Sequence, residues 1–282
     1  VAQNGPGITG LVTPIKTAYW NHTPLLLVTP QAANKTMGQG GFQEVEQMNL
    51  FKDMVCYQEE VRDPSRMAEV LNRVIEKAIR GSAPAQINFP RDYWTQVIDI
   101  ELPPIVRLER QAGGADAINK AADLLSNAKF PVILSGAGVV IGGAIDDCVK
   151  LAEKLDSPVC SGYQHNDSFP GSHPLAVGPL GYNGSKAAME LISKADVVLA
   201  LGTRLNPFST LPGYGIDYWP KNANIIQVDI NPDRIGLTKK VTVGISGDAK
   251  LVAQQILEKL STSAGDTDRQ KRKDFIHQTK SA

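Results

Sequence analysis

"PVILSGAGVVIGG", Pro131 to Gly143, is the stretch on which the fold turns. It opens as an apolar run with no polar alternation. Such a run suits a strand of a parallel sheet, covered on both faces. It passes without a spacer into Ser135-Gly136-Ala137-Gly138, and helical spacing follows over about Gly143 to Leu155. A strand handed through a glycine turn to a helix is the repeating step of a doubly wound α/β sheet.

Working outward, the same alternation holds on both sides. A helix is expected over about Ala115 to Asn127, before the strand. After it come the strand "SPVCSG", a long loop to Asn183, and a helix from Ser185 to Ser193. The strands "DVVLALG" (Asp196 to Gly202), "ANIIQVDI" and "KVTVGI" and a helix from Asp248 to Leu260 complete a Rossmann-like domain over residues 115–262.

Residues 1–98 repeat the pattern independently. "VAQNGPG" is expected to be a strand tail entering a turn, and Thr9 the cap of a helix from about Gly10 to Asn21. "PLLLVTP" is a buried strand, and a loop from Gln31 to Gly41 leads to a helix over about Phe42 to Asp53. "VCYQEEV" is a strand. Asp63 and Pro64 open a helix that Gly81 stops, and "AQINFP" is a strand. Residues 99–114, rich in proline, charge and paired glycine, are expected to be a linker. Residues 263–282 are polar and are expected to be a second linker, toward a further domain.

The chain has 282 residues, enough for two domains, with 42% hydrophobic and 21% charged residues, as in a globular protein. Lys+Arg 29 balance Asp+Glu 29, so no basic excess exists to hold a phosphate backbone and nucleic acid is excluded as the expected partner. Cys56, Cys148 and Cys160 show no paired spacing, which suits free thiols in a reducing cytoplasm. No apolar run approaches the ~20 residues that span a bilayer, so no membrane association is expected. The chain begins at Val1, not methionine, and is expected to be part of a longer protein.

Several stretches are candidate sites, each with a bland alternative. In "SGAGVVIGG" Gly136 and Gly138 stand where backbone N–H groups can approach a phosphate. Ile141 replaces a third glycine, and a tight strand-to-helix turn explains the stretch equally. Arg204 in "LGTRLNPF" and Asp229 in "VDINPDRI" follow strands and can face a nucleotide phosphate and ribose; loop structure is the alternative. Gly5-Pro6-Gly7 in "QNGPGITG" forces a turn before a helix, ligand-facing or merely tight. His22, His165, His173 and His277 lack metal-ligand spacing. "GQGGFQEVEQ", Gly38 to Gln47, sets a mobile glycine run against an aromatic ring and an amide, an unusual choice for a plain turn.

Taken together, "QNGPGITGLVTPIKTAYWNHTPLLLVTP", "GGFQEVEQ", "PVILSGAGV", "HPLAVGPLGYNGSKAA", "ADVVLALGTRL" and "NIIQVDINPDRIG" resemble the acetolactate-synthase-like group of thiamine-diphosphate enzymes, in collinear order from Val1 to about Leu260. The resemblance implies an α/β chain holding the end of a pyrimidine-binding, flavodoxin-like domain and a whole Rossmann-like central domain. It implies thiamine diphosphate and Mg2+ as cofactors, and a homodimer or homotetramer, because the family's cofactor site spans two subunits. Phe42 and Gln43 match the aromatic–amide pair that lines the catalytic site, and Gly5, Pro6 and Gly7 match the turn beside the cofactor's pyrimidine. The family's activating glutamate would lie before Val1 and its G-D-G magnesium motif after Ala282.

"YWNHTPLLLVTPQAANKTMGQGGFQEVEQM" and "NPFSTLPGYGIDYWP" are most similar to a branch whose small-molecule substrates are sulfoacetaldehyde and phosphate. An acetolactate-synthase-like carboligase or decarboxylase, an acyl-CoA lyase, or a non-catalytic nucleotide-binding module are the alternatives. Against acetolactate synthase itself stands Arg204-Leu205-Asn206-Pro207-Phe208, which lacks the acidic pair of that enzyme's flavin-holding run.

Overall fold

The computed structural model describes residues 1–104, 109–261 and 266–281. Part of the expected linker, at 105–108, and residues 263–265 lie outside them. Two compact units result, Val1–Arg107 and Leu108–Ala282.

The first unit opens with α1 (Pro6–Thr9) and α2 (Val12–Trp20), then β1 (Leu25–Gln31), α3 (Gln47–Phe51), β2 (Tyr57–Glu60), α4 (Met67–Gly81) and β3 (Pro84–Pro90). The strands form a parallel sheet in the order β1-β3-β2. Leu25 to Val28 in β1 alternate between two small cores. Leu26 and Val28 pack with Val70, Val74 and Ala78 of α4, and Leu27 packs with Ile8, Ile15 and Phe51. Beyond Leu27 that second face becomes polar. Thr29, Gln86 and Asn88 are fully buried. The Thr29 hydroxyl donates to Asn88 Oδ1 at 2.8 Å, and Gln86 Nε2 donates to Thr29 Oγ1 at 3.0 Å. Such pairing offsets the cost of burying these polar groups, with Gln86 Oε1 left without a partner among the described residues.

Three expectations change in this unit. No strand forms over residues 1–5, where a turn leads straight into α1. Thr9 ends a short helix and does not cap a long one, because Gly10 and Leu11 separate α1 from α2. The helix expected from Phe42 begins only at Gln47, where the Glu46 carboxylate caps it by accepting from Met48 N at 3.2 Å.

The second unit holds α5 (Ala115–Ser126), β4 (Pro131–Ser135), α6 (Ala137–Ile141), α7 (Ile145–Leu155), β5 (Val159–Ser161), β6 (Ala176–Pro179), α8 (Lys186–Ser193), β7 (Val197–Leu201), β8 (Asn224–Asp229), β9 (Val243–Ser246), α9 (Ala249–Lys259) and α10 (Asp266–Ser281). Its strands are all parallel, in the order β6-β5-β4-β7-β8-β9. That is the Rossmann-like order the sequence implied: the chain winds one way from β4, then returns to wind the other way from β7. β4 and β7 are buried at every position, which explains their unbroken apolar runs.

β6 was expected to be loop. It is short, holds Gly178 at φ +91, and pairs with β5 through a register shift, so no strand period shows. Residues 266–281, expected to be part of a polar linker, are helical. Arg272 and Ile276 of α10 are buried, and the Arg272 guanidinium donates to the carbonyls of Leu155 (2.6 Å) and Lys129 (2.8 Å). Asp156 takes Arg269 and, at 3.1 Å, Lys273. The polar sequence is therefore a helix tied down by its charges. No helix among the described residues is long and apolar enough to cross a membrane.

Candidate active site

The loop from Gln31 to Gln47 leaves the carboxyl end of β1 and is anchored at both feet by buried amides. Gln31 Nε2 donates to Val45 O at 3.1 Å, and Gln47 Nε2 donates to Pro30 O at 2.7 Å. Between these feet stand Gly38 at φ +83 and Gly40 at φ +70. Phe42 and Gln43 follow. Phe42 is 82% exposed, so its ring is not part of either core of its unit.

Gln43 has φ +60, a left-handed conformation that costs a side-chain-bearing residue about 1–2 kcal/mol. Its neighbours hold it there. Asn4 Nδ2 donates to Gln43 O at 3.1 Å, and Gln3 Nε2 donates to Gln43 Oε1 at 2.9 Å. Gly5, at φ +68, approaches so closely that a Cβ on it would lie 2.7 Å from Gln43 O. The structure thus brings the Gly5-Pro6-Gly7 turn and the Phe42-Gln43 pair together across 34 intervening residues, from Ile8 to Gly41. Gln3, Asn4 and Glu44, which bind this arrangement together, were not singled out in the sequence. The signal for the first two was their place directly before Gly5.

These residues fit the wall of a thiamine-diphosphate site: an exposed ring, an oriented amide and a glycine turn in contact with it. They do not fit a metal site. Among the described residues no group of three or more His, Cys, Asp or Glu is arranged to hold an ion.

Gly136, Gly138, Arg204 and Asp229 lie at the carboxyl ends of three neighbouring strands, β4, β7 and β8, on the switch point of the second sheet. The glycines serve close packing there. A Cβ on Gly138 would lie 2.7 Å from Gly202 Cα, and one on Gly136 would lie 2.6 Å from Thr203 Cβ. Gly136 N donates to Leu201 O (3.1 Å), Gly138 N to Gly202 O (2.8 Å) and Val139 N to Gly136 O (3.0 Å). Those amides are engaged within the protein. Asp229 accepts from Asn231 N at 2.9 Å; burial pushes its carboxyl up, while that amide, Arg234 and Arg204 pull it back.

Among the other reactive side chains, His173, Cys148 and Cys160 are structural. His173 Nδ1 accepts from Leu175 N at 3.2 Å and its ring packs edge-on against Phe169. Burial pushes the Cys148 thiol up to about 12 and raises Cys160 further, so neither is a thiolate nucleophile.

The sheet order and the glycine-lined junction are those of a Rossmann-like domain, and residues 118–256 match the family described as "Thiamine pyrophosphate enzyme, central domain". At the level of particular proteins, the chain is 78% identical over 282 residues to the "Probable sulfoacetaldehyde acetyltransferase" of Rhizobium meliloti (strain 1021), all of this chain against 48% of that protein. It is also 78% identical over 282 residues to the "Sulfoacetaldehyde acetyltransferase" of Roseovarius nubinhibens, covering 47% of it. The resemblance drawn from the sequence is borne out. The chain spans about half the length of these relatives. The crystal structure of benzoylformate decarboxylase from Polynucleobacter necessarius shares the fold, with a TM-score of 0.81 at 23% identity over 94% of this chain and 50% of that one.

Proposed function

We propose that this chain is part of a thiamine-diphosphate-dependent acyltransferase that converts sulfoacetaldehyde and phosphate to acetyl phosphate and sulfite. The observation that carries the reading is 78% identity along its whole length to proteins of that name. The reaction balances without an outside oxidant. The C–S bond breaks with its electron pair leaving on sulfite. The aldehyde carbon rises to the acyl level as its neighbour becomes a methyl group, and a phosphate oxygen takes the acyl unit.

When bound, thiamine diphosphate supplies the nucleophilic carbon and the electron sink. This chain's residues shape its surroundings. The Phe42 ring excludes water, so that phosphate and not water receives the acetyl unit. The Gln43 amide, its oxygen held by Gln3, presents its N–H groups to a substrate oxygen. Gly5, Pro6 and Gly7 face the pyrimidine. Phe42 reaches the site across a subunit boundary in a homodimer or homotetramer, which suits its exposure within one chain. Mg2+ is held by residues outside these 282, and free cysteines suit a cytoplasmic protein.

Full-length protein given sulfoacetaldehyde, phosphate, thiamine diphosphate and Mg2+ is expected to release sulfite and acetyl phosphate in equal amounts. No sulfite would refute the reading, and acetolactate from pyruvate would replace it with the carboligase alternative. The 282-residue chain alone is expected to give no turnover. A nucleotide site at Gly136, Gly138, Arg204 and Asp229 is the second reading, favoured by their switch-point position. It is tested by titration with FAD, ADP or coenzyme A, and the engagement of the local amides predicts weak or no binding.

A further inference from the structure

We propose that Glu44 is the positioning residue of the Phe42-Gln43 pair. The proposal rests on the reading of that pair as active-site lining. Glu44 Oε1 accepts from Gly38 N at 2.6 Å and Oε2 accepts from Gly41 N at 3.1 Å. One carboxylate therefore closes both ends of the glycine run onto the residue that follows Gln43.

Little else restrains the run. A Cβ at Gly38 or Gly40 would meet nothing within 4 Å, so those glycines are there for their positive φ and not for lack of room. Residues 35–40 are exposed. Backbone turns from Ala33 to Met37 and from Thr36 to Gln39 shape the first arm, and Glu44 N donates to Gly41 O at 3.1 Å. A glycine-rich segment without packing has the most conformational freedom to lose on ordering. Hydrogen bonds to an ionised acceptor are the strong kind that can offset that loss. Asn4 and Gln3 fix Gln43 from one side, and Glu44 fixes the arm that delivers Phe42 from the other. Glu44 thus sets where the ring stands without touching substrate.

The test uses the full-length enzyme with Glu44→Ala, Glu44→Gln, Phe42→Ala and the double variant Glu44→Ala/Phe42→Ala. Glu44→Ala is expected to lower kcat/KM on the order of 10- to 100-fold, the scale of a small misplacement in an active site. It is expected to raise the ratio of acetate to acetyl phosphate, and to speed amide exchange over residues 38–43 at an unchanged melting temperature. Glu44→Gln, which keeps one acceptor, falls between. Because Glu44 acts through the ring, its removal in the Phe42→Ala background is expected to cost less than about threefold further. Wild-type exchange at Gly38 and Gly41 in Glu44→Ala, or fully multiplicative losses in the double variant, overturns the proposal. If Phe42→Ala alone leaves turnover intact, the reading of the site falls instead, and the exchange rates still decide whether Glu44 holds the loop.

Discussion

Gln43 and Gly5 form a pair in which each constrains the other. Gln43 stands at φ +60, and the space beside its carbonyl exists because Gly5 has no Cβ. Replacing Gln43 with glycine removes the left-handed strain but frees the unfolded chain. Its stability is therefore expected to stay within about 1 kcal/mol of wild type, while turnover of the full-length enzyme falls because the amide is gone. Equal stability and equal turnover would contradict the amide's role. Asp229 gives a pH signature. Its folded carboxyl is raised, mainly by burial, so the folded state holds the proton more tightly than the unfolded one. Stability is then lost as pH rises from the ordinary carboxylate range through the folded value. Asp229→Asn keeps an acceptor for Asn231 N and is expected to melt higher than wild type at neutral pH. That advantage should close as pH falls below the ordinary carboxylate range; a gap independent of pH would refute it.

At the scale of elements, the junction of α6 with the end of β7 is closed backbone to backbone through Gly138 and Gly202. Gly138→Ala places a methyl group 2.7 Å from Gly202 Cα and is expected to cost about 1–3 kcal/mol, read as a lower denaturant midpoint at unchanged slope. No cost would mean that the turn has room for a ligand after all. α10 docks through Ile276, which is 2% exposed, and through the Asp156 ion pairs. Ile276→Ala is expected to cost about 2–4 kcal/mol, checked by the same titration. The length and type of most elements were legible because buried parallel strands and capped helices carry strong local patterns. Asp63 accepts from the turn it was expected to open, and Ser185 and Asp248, expected as the first residues of their helices, prove to be their caps. β6 and α10 were not legible. The first depends on pairing with β5, and the second on a buried guanidinium reaching carbonyls more than a hundred residues away.

For the whole molecule, the two units differ in how much core they own. The second has one continuous apolar core between its sheet and helices. The first divides its apolar side chains between two small clusters and carries a buried polar row on one sheet face. Calorimetry of the 282-residue chain is expected to show the first unit melting before the second, and a single two-state transition would refute this. What the sequence determined by itself was the class of the fold, the winding of the second sheet and the stretches worth watching. Each of these is written in local periodicity, glycine placement and composition, which need no partner to be read. Only the tertiary structure decided that Gly5 touches Gln43, that Glu44 ties Gly38 to Gly41, and that Gly136 and Gly138 spend their amides on packing. The first and last are approaches between backbones far apart in the chain, and the Glu44 contacts, though close in sequence, depend on how an irregular loop folds back, which no helix or strand period encodes.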